Sequence, residues 1–164
     1  MKKIIPVIIV VLAVIVAGYL YKKYRIAPDV KFETLALTDL NGNPVKLQDY
    51  QGKKLFLNFF QTWCGPCIGE FPSLDVAATV FLHNNFVFIA ISDEPVPLLI
   101  HVQQHFNPRY LIILHSVKPL KELGVFTYPT SYLLNTKSQV VFQKTGTEDW
   151  IKPDVIQSLR AKAE

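Results

Sequence analysis

The heptad KLFLNFF (residues 54–60) is apolar at five of seven positions and shows no alternation of apolar with polar residues. A strand with one wet face alternates, so a run of this kind fits a strand covered on both sides. VFIAIS (residues 87–92) and YLIILH (residues 110–115) have the same character. Between these runs, residues 66 to about 82 and 98–106 carry helix-like apolar spacing, and Pro72 is expected to kink the first of these helices. Strand–helix alternation of this kind predicts an α/β sandwich around a central sheet.

Flanking segments complete the layout. Residues 32–53 read as an N-terminal hairpin turning at Asn41-Gly42. Residues 131–135 and 140–144 read as a second hairpin with polar turn residues 136–139 between them. A last helix over 154–163 places Val155, Ile156 and Leu159 on one face. At 164 residues there is room for one domain with a substantial core.

Half of the chain is hydrophobic and mean hydropathy is +0.24, an excess that sits at the N-terminus. IIPVIIVVLAVIVAGYL (residues 4–20) contains no charge, and its 17 residues would span roughly 25 Å as a helix. Lys2 and Lys3 before the run also suit a cleavable signal peptide. The length of the run, the KKYR that follows it and the poorly formed small-x-small site favour a retained anchor. The expected division is a signal anchor over residues 1–25, a linker over 26–31 and one domain over 32–164.

Net charge is +4, yet five of the 17 basic residues flank the apolar run. The 12 that remain, all after residue 25, face 13 acids, a net of −1. The basicity therefore belongs to the membrane ends, and no nucleic-acid footprint is expected. Charges on the two sides of the run nearly balance, so they do not fix its orientation.

The chain has two cysteines, Cys64 and Cys67, in the stretch QTWCGPC. A structural zinc site needs four ligands, and His83, His101, His105 and His115 form no tight pair beside the cysteines in sequence. His101 and His105 read as a solvated helix face, and no metal or other cofactor is expected. A structural staple closing so short a loop would gain little. Placement argues for redox chemistry instead. Cys64 follows a buried strand, and Gly65-Pro66 opens the next helix, where proline's missing N–H costs nothing. A helix N-terminus favours negative charge on the Cys64 sulfur and so promotes the nucleophilic thiolate.

WCGPC (residues 63–67) at a strand-to-helix junction, with Tyr128-Pro129-Thr130 some sixty residues on, resembles a thioredoxin-fold protein. Several details resemble the membrane-tethered TlpA/ResA group, which includes the CcmG(DsbE) reductants of cytochrome c maturation. Asn58 stands where thioredoxins carry a buried aspartate, Glu70 and Pro72 follow the motif, and GNPVKLQDYQGK (residues 42–53) matches that group's early hairpin. Gly65 departs from it, since another residue often precedes the proline there. The resemblance covers roughly residues 30–162.

The resemblance implies a thioredoxin-like three-layer sandwich, a central mixed sheet with helices on both faces. It also implies a role for each site residue. Cys64 attacks and Cys67 resolves, the two cycling as a redox-active disulfide. Glu70 moves the Cys67 proton, and Pro129 is cis. Trp63, Tyr128, Pro129 and Thr130 receive the substrate, while Asn58, Gly65 and Pro66 support the site. Asp93 and Glu94 at a strand end read as a solvated loop rather than part of the cleft. The expected activity is reduction of protein disulfides, apocytochrome c among them, outside the cytoplasm at a bacterial inner membrane. Electrons would come from an integral-membrane donor, because no second cysteine pair is present. A net oxidant or isomerase, a non-catalytic binding module and a thiol peroxidase are the competing readings. The peroxidase is disfavoured because Gln61 stands where its reactive cysteine would be preceded by threonine.

Overall fold

The structure is a computed structural model that describes residues 10–18 and 30–163. Residues 10–18 are helical (α1). Among the described residues no helix is long and apolar enough to cross a membrane. Most of the expected anchor and most of the 26–31 linker lie outside the described residues.

From Val30 onward the chain builds a seven-stranded mixed sheet. The early hairpin has two-residue strands, β1 (Leu37–Thr38) and β2 (Pro44–Val45), shorter than the sequence suggests. Its turn is held by the Asp39 carboxylate, which accepts from the backbone N–H of Asn41 at 2.9 Å and of Asn43 at 2.8 Å. Gly42 sits at φ +86°, the left-handed region that glycine enters without steric cost. The three apolar runs are β3 (Lys54–Phe59), β4 (Phe86–Ser92) and β5 (Leu111–Ser116), and they pair in parallel. β6 (Thr130–Leu134) and β7 (Val140–Thr145) form the closing antiparallel hairpin, and β6 pairs antiparallel with β3. The strand order is β2-β1-β5-β4-β3-β6-β7.

Three helices connect or close these strands: α2 (Gly65–Val80), α3 (Val96–Phe106) and α4 (Pro153–Ala163). The β3–α2–β4 and β4–α3–β5 crossovers step in the same direction across the sheet. Right-handed crossovers in one direction place both helices on the same face. That geometry is observed: Phe71, Leu74 and Ala77 of α2, Leu99 and Val102 of α3, and Leu159 of α4 share one cluster with Phe56, Phe88 and Ile113 of the sheet. The other face, Leu55, Leu57, Ile89 and Ile91, is covered by Phe32, Leu47, Leu120 and Val125. Those residues come from short 3-10 turns and loops. Among the described residues, helical cover on the second face is thus confined to such turns, whereas α2, α3 and α4 gather on the first. α2 runs without interruption across Pro72, which lies on its exposed side.

Candidate active site

Cys64 occupies the N-cap of α2, with extended backbone at φ −82° and ψ 94°. Its carbonyl accepts the first helical bond, from the Ile68 N–H at 3.1 Å, and its sulfur accepts from the Cys67 N–H at 3.3 Å. A helix start leaves several N–H groups without partners, so a sulfur in the cap position satisfies one of them and lies where the dipole favours negative charge. Pro66 occupies the first turn, where its ring is tolerated. Cys64 and Cys67 are joined as a disulfide with Cα atoms 5.3 Å apart. Cys64 retains 6% exposure and Cys67 none, so an incoming group meets Cys64 first.

Trp63, next to Cys64 in the chain, is 72% exposed, and its ring meets that of Tyr128 edge-to-face with centroids 6.1 Å apart. The Tyr128–Pro129 bond is cis, Pro129 and Thr130 are buried, and the Thr130 hydroxyl donates to the Thr127 carbonyl at 2.7 Å. Gly65 and Pro66 are exposed at the helix start. The tryptophan therefore lies on the surface, with a partner ring from the cis-proline loop.

Behind the pair is a buried polar group of four side chains. Glu70, one turn beyond Cys67, is 4% exposed. Its Oε1 accepts from Asn58 Nδ2 at 2.7 Å, and its Oε2 accepts from Trp150 Nε1 and from the Glu148 backbone N–H, both at 3.3 Å. Asn58 Nδ2 also donates to Ser131 Oγ at 3.0 Å, its cross-strand partner on β6. Burial pushes the Glu70 carboxyl up to about 7, although hydrogen bonds from Asn58, Glu148 and Trp150 pull it down and the Glu148 charge adds to the rise. A carboxyl poised near neutrality can both accept and release a proton.

Asp93 and Glu94 are not a solvated loop. Asp93 accepts from Gln61 Nε2 at 2.6 Å and from the Leu120 N–H at 2.7 Å. Glu94 accepts from the Thr62 N–H and from the Thr62 hydroxyl, the latter at 2.8 Å. The pair thus ties the Gln61–Thr62 segment, which leads into Trp63 and Cys64, to the carboxyl end of β4. A buried β4 end leaves unsatisfied donors in the adjoining loop, and carboxylates fill that need well.

Asn58 and Glu70 were legible as site residues from their positions relative to the cysteines, but Trp150, Ser131 and the Asp93–Glu94 clamp were not. Trp150 lies 80 residues from Glu70, and its signal in sequence is that of an ordinary core aromatic. Ser131 reads simply as a strand residue until its register with Asn58 is known. His101 and His105 are exposed on α3.

Comparison with known proteins agrees with this geometry. The sequence profile of the Redoxin family matches residues 23–159. The thiol-disulfide oxidoreductase ResA of Bacillus thuringiensis subsp. konkukian is 27% identical over 133 residues, covering 80% of this chain and 77% of that protein. ResA of Bacillus subtilis is 31% identical over 113 residues, covering 68% of this chain and 63% of the relative. A Chlorobium tepidum protein assigned to thiol:disulfide interchange (DsbE) superposes with a TM-score of 0.67 at 21% identity, over 84% of this chain and 98% of that one. That superposition shows the fold to be thioredoxin-like. The chain belongs to the redoxin family, and its Cys64–Cys67 disulfide sets it among that family's thiol-disulfide oxidoreductases.

Proposed function

We propose that the chain is a membrane-tethered reductant of protein disulfides that works outside the cytoplasm. The observation that carries this reading is the Cys64 sulfur at the α2 N-cap, facing the Cys67 N–H at 3.3 Å, with Cys67 wholly buried behind it. In the reduced state the Cys64 thiolate attacks a substrate disulfide and forms a mixed disulfide, and one substrate sulfur leaves as thiolate and takes a proton. The Cys67 thiol passes its proton to the Glu70 carboxylate, and the resulting thiolate attacks the Cys64 sulfur. That step restores the Cys64–Cys67 disulfide and releases the second substrate sulfur, which takes up the proton. Two electrons have then moved from the dithiol to the substrate.

Trp63, Tyr128, Pro129 and Thr130 form the docking side, where an extended substrate segment pairs with backbone beside the cis-proline. Gly65 and Pro66 shape the approach to Cys64, and Asn58 supports Glu70 from below. Recharging needs a two-electron donor, and an integral-membrane dithiol protein suits a tethered domain that carries only one cysteine pair. The uncharged run over residues 4–20 supports the tether, with residues 1–25 as anchor, 26–31 as linker and 32–164 as the working domain. An oxidised apocytochrome c is the substrate class that the ResA and DsbE likeness suggests.

The test is isolation of the full-length Cys67→Ser chain from membranes of its own cells. Extracytoplasmic proteins held to Cys64 by dithiothreitol-sensitive bonds are expected. Recovery of the variant with no covalent partner would refute the exchange, and an inactive alkaline-phosphatase fusion after residue 30 would refute the side of the membrane.

A further inference from the structure

The two oxygens of Glu70 face chemically different neighbours. Oε2 is met by the Trp150 indole N–H and the Glu148 backbone N–H, both at 3.3 Å. Each of these groups can only donate. A proton on Oε2 would point donor at donor and leave two buried N–H groups without acceptors, a costly arrangement. Oε1 is met at 2.7 Å by the Asn58 amide, which carries both a donor and an acceptor on a single rotatable plane.

We infer that Glu70 takes up and releases its proton at Oε1 alone, and that Asn58 and Ser131 are positioning residues whose hydrogen bonds reverse direction each time it does so. With Glu70 ionised, Asn58 Nδ2 donates both to Glu70 Oε1 and to Ser131 Oγ. Among the described residues Asn58 Oδ1 is then a buried side-chain oxygen with no partner. A half-turn of the amide brings Oδ1 to where Nδ2 was. It accepts the Oε1 proton of neutral Glu70 and the hydroxyl proton of Ser131, which changes from acceptor to donor. The bonds made to Glu70 Oε1 and Ser131 Oγ number two before and two after. The unpartnered buried group is Asn58 Oδ1 before the turn and Asn58 Nδ2 after it, so the carboxyl and its fixed donors keep their partners in both states. Trp150 and the Glu148 N–H stay fixed on Oε2 in both states and hold the carboxyl plane toward Asn58.

The register of the sheet makes this possible. Asn58 and Ser131 are directly paired across β3 and β6, and Ser131 is separated from the cis-proline by Thr130 alone. The groups facing Glu70 from β3 and β6 are thus neutral. Charge reaches it from the loop after β7, where Glu148 is paired with Lys144 at 2.6 Å and Asp149 lines the same recess. Cys67, three residues earlier on the same helix, is held in the disulfide and carries no titrating proton in the oxidised chain. A second carboxylate at position 58 would have coupled two titrations, whereas an amide follows a single proton.

This inference rests on the proposed part of Glu70 in handling the Cys67 proton, and the experiment separates the two. The full, oxidised chain, labelled with 13C and 15N, is titrated by NMR between pH 5 and 9, following the Glu70 carboxyl carbon and the Asn58 side-chain NH2. Both sets of resonances are expected to move with one midpoint. Trp150→Phe removes a donor to the ionised form and should raise that midpoint by about one pH unit. Ser131→Ala should change the Asn58 response while Ser131→Thr, which keeps the hydroxyl, restores it. If Glu70 titrates while the Asn58 amide stays unmoved, the reversal is wrong, though Glu70 could still serve Cys67. If both titrate together but Glu70→Gln leaves the pH profile of disulfide exchange unaltered, the relay exists and the proposed use of Glu70 fails.

Discussion

Replacing Glu70 with glutamine should change the pH dependence of stability more than stability at any single pH. The Glu70 carboxyl rises from 4.5 to about 7 in the fold, chiefly through burial. A group whose pKa is raised on folding contributes stability that is complete below the unfolded value and is lost as pH climbs through the folded one. For the native chain that window runs from about 4.5 to about 7, and the loss follows from about 2.5 pH units at 1.36 kcal/mol each, hence about 3 kcal/mol. Glutamine cannot titrate. It presents an NH2 where a carboxylate oxygen accepted, which lowers stability by an amount that does not depend on pH. The oxidised cysteines do not titrate either, so the difference between the two curves isolates Glu70. Urea denaturation of oxidised native and Glu70→Gln full-length chains at pH 4 and pH 8 measures it. At a slope of about 2 kcal/mol per molar urea, the gap between their midpoints should change by about 1.5 M in favour of the variant at pH 8. Parallel curves across that range would mean that Glu70 is ionised in the fold as easily as in water, and the burial argument would fail.

Three other substitutions examine separate parts of the structure. Glu94→Ala removes the acceptor for the Thr62 N–H and hydroxyl. It should cost about 1–3 kcal/mol and slow exchange of Cys64 with a model disulfide, as read by urea unfolding and stopped-flow absorbance. Asp75→Ala deprives the backbone N–H groups of Arg109, Tyr110 and Leu111 of a shared acceptor, so the urea midpoint should fall by about 1 M with no change in exchange rate. Trp63→Ala, at an exposed position, should leave stability within about 0.5 kcal/mol while raising KM for protein disulfides more than for small ones.

The three buried strands were legible because KLFLNFF, VFIAIS and YLIILH lack alternation, and that pattern follows directly from being covered on two faces. Their ends moved by no more than a residue or two. The position of the cysteines between a strand and a helix starting with Gly-Pro was equally plain, because local backbone rules fix it. What the sequence concealed depends on tertiary packing. The second face is closed by Phe32, Leu47, Leu120 and Val125 from short turns, which have no periodicity to detect. Asp93 and Glu94 look like any polar loop until the chain brings Gln61 and Thr62 against them. Trp150 joins Glu70 only because the segment leading into α4 folds back over α2, a contact that no local pattern encodes.

The central claim is that the start of α2 makes Cys64 the acidic, attacking sulfur of the pair. Alkylation of the reduced full-length chain by limiting iodoacetamide across pH, with the modified cysteine identified by mass spectrometry, tests it most directly. The account predicts that Cys64 is modified ahead of Cys67, with a rate midpoint well below the value of about 8.5 for a free cysteine. Modification of Cys67 first, or a Cys64 midpoint at the free-cysteine value, would contradict it.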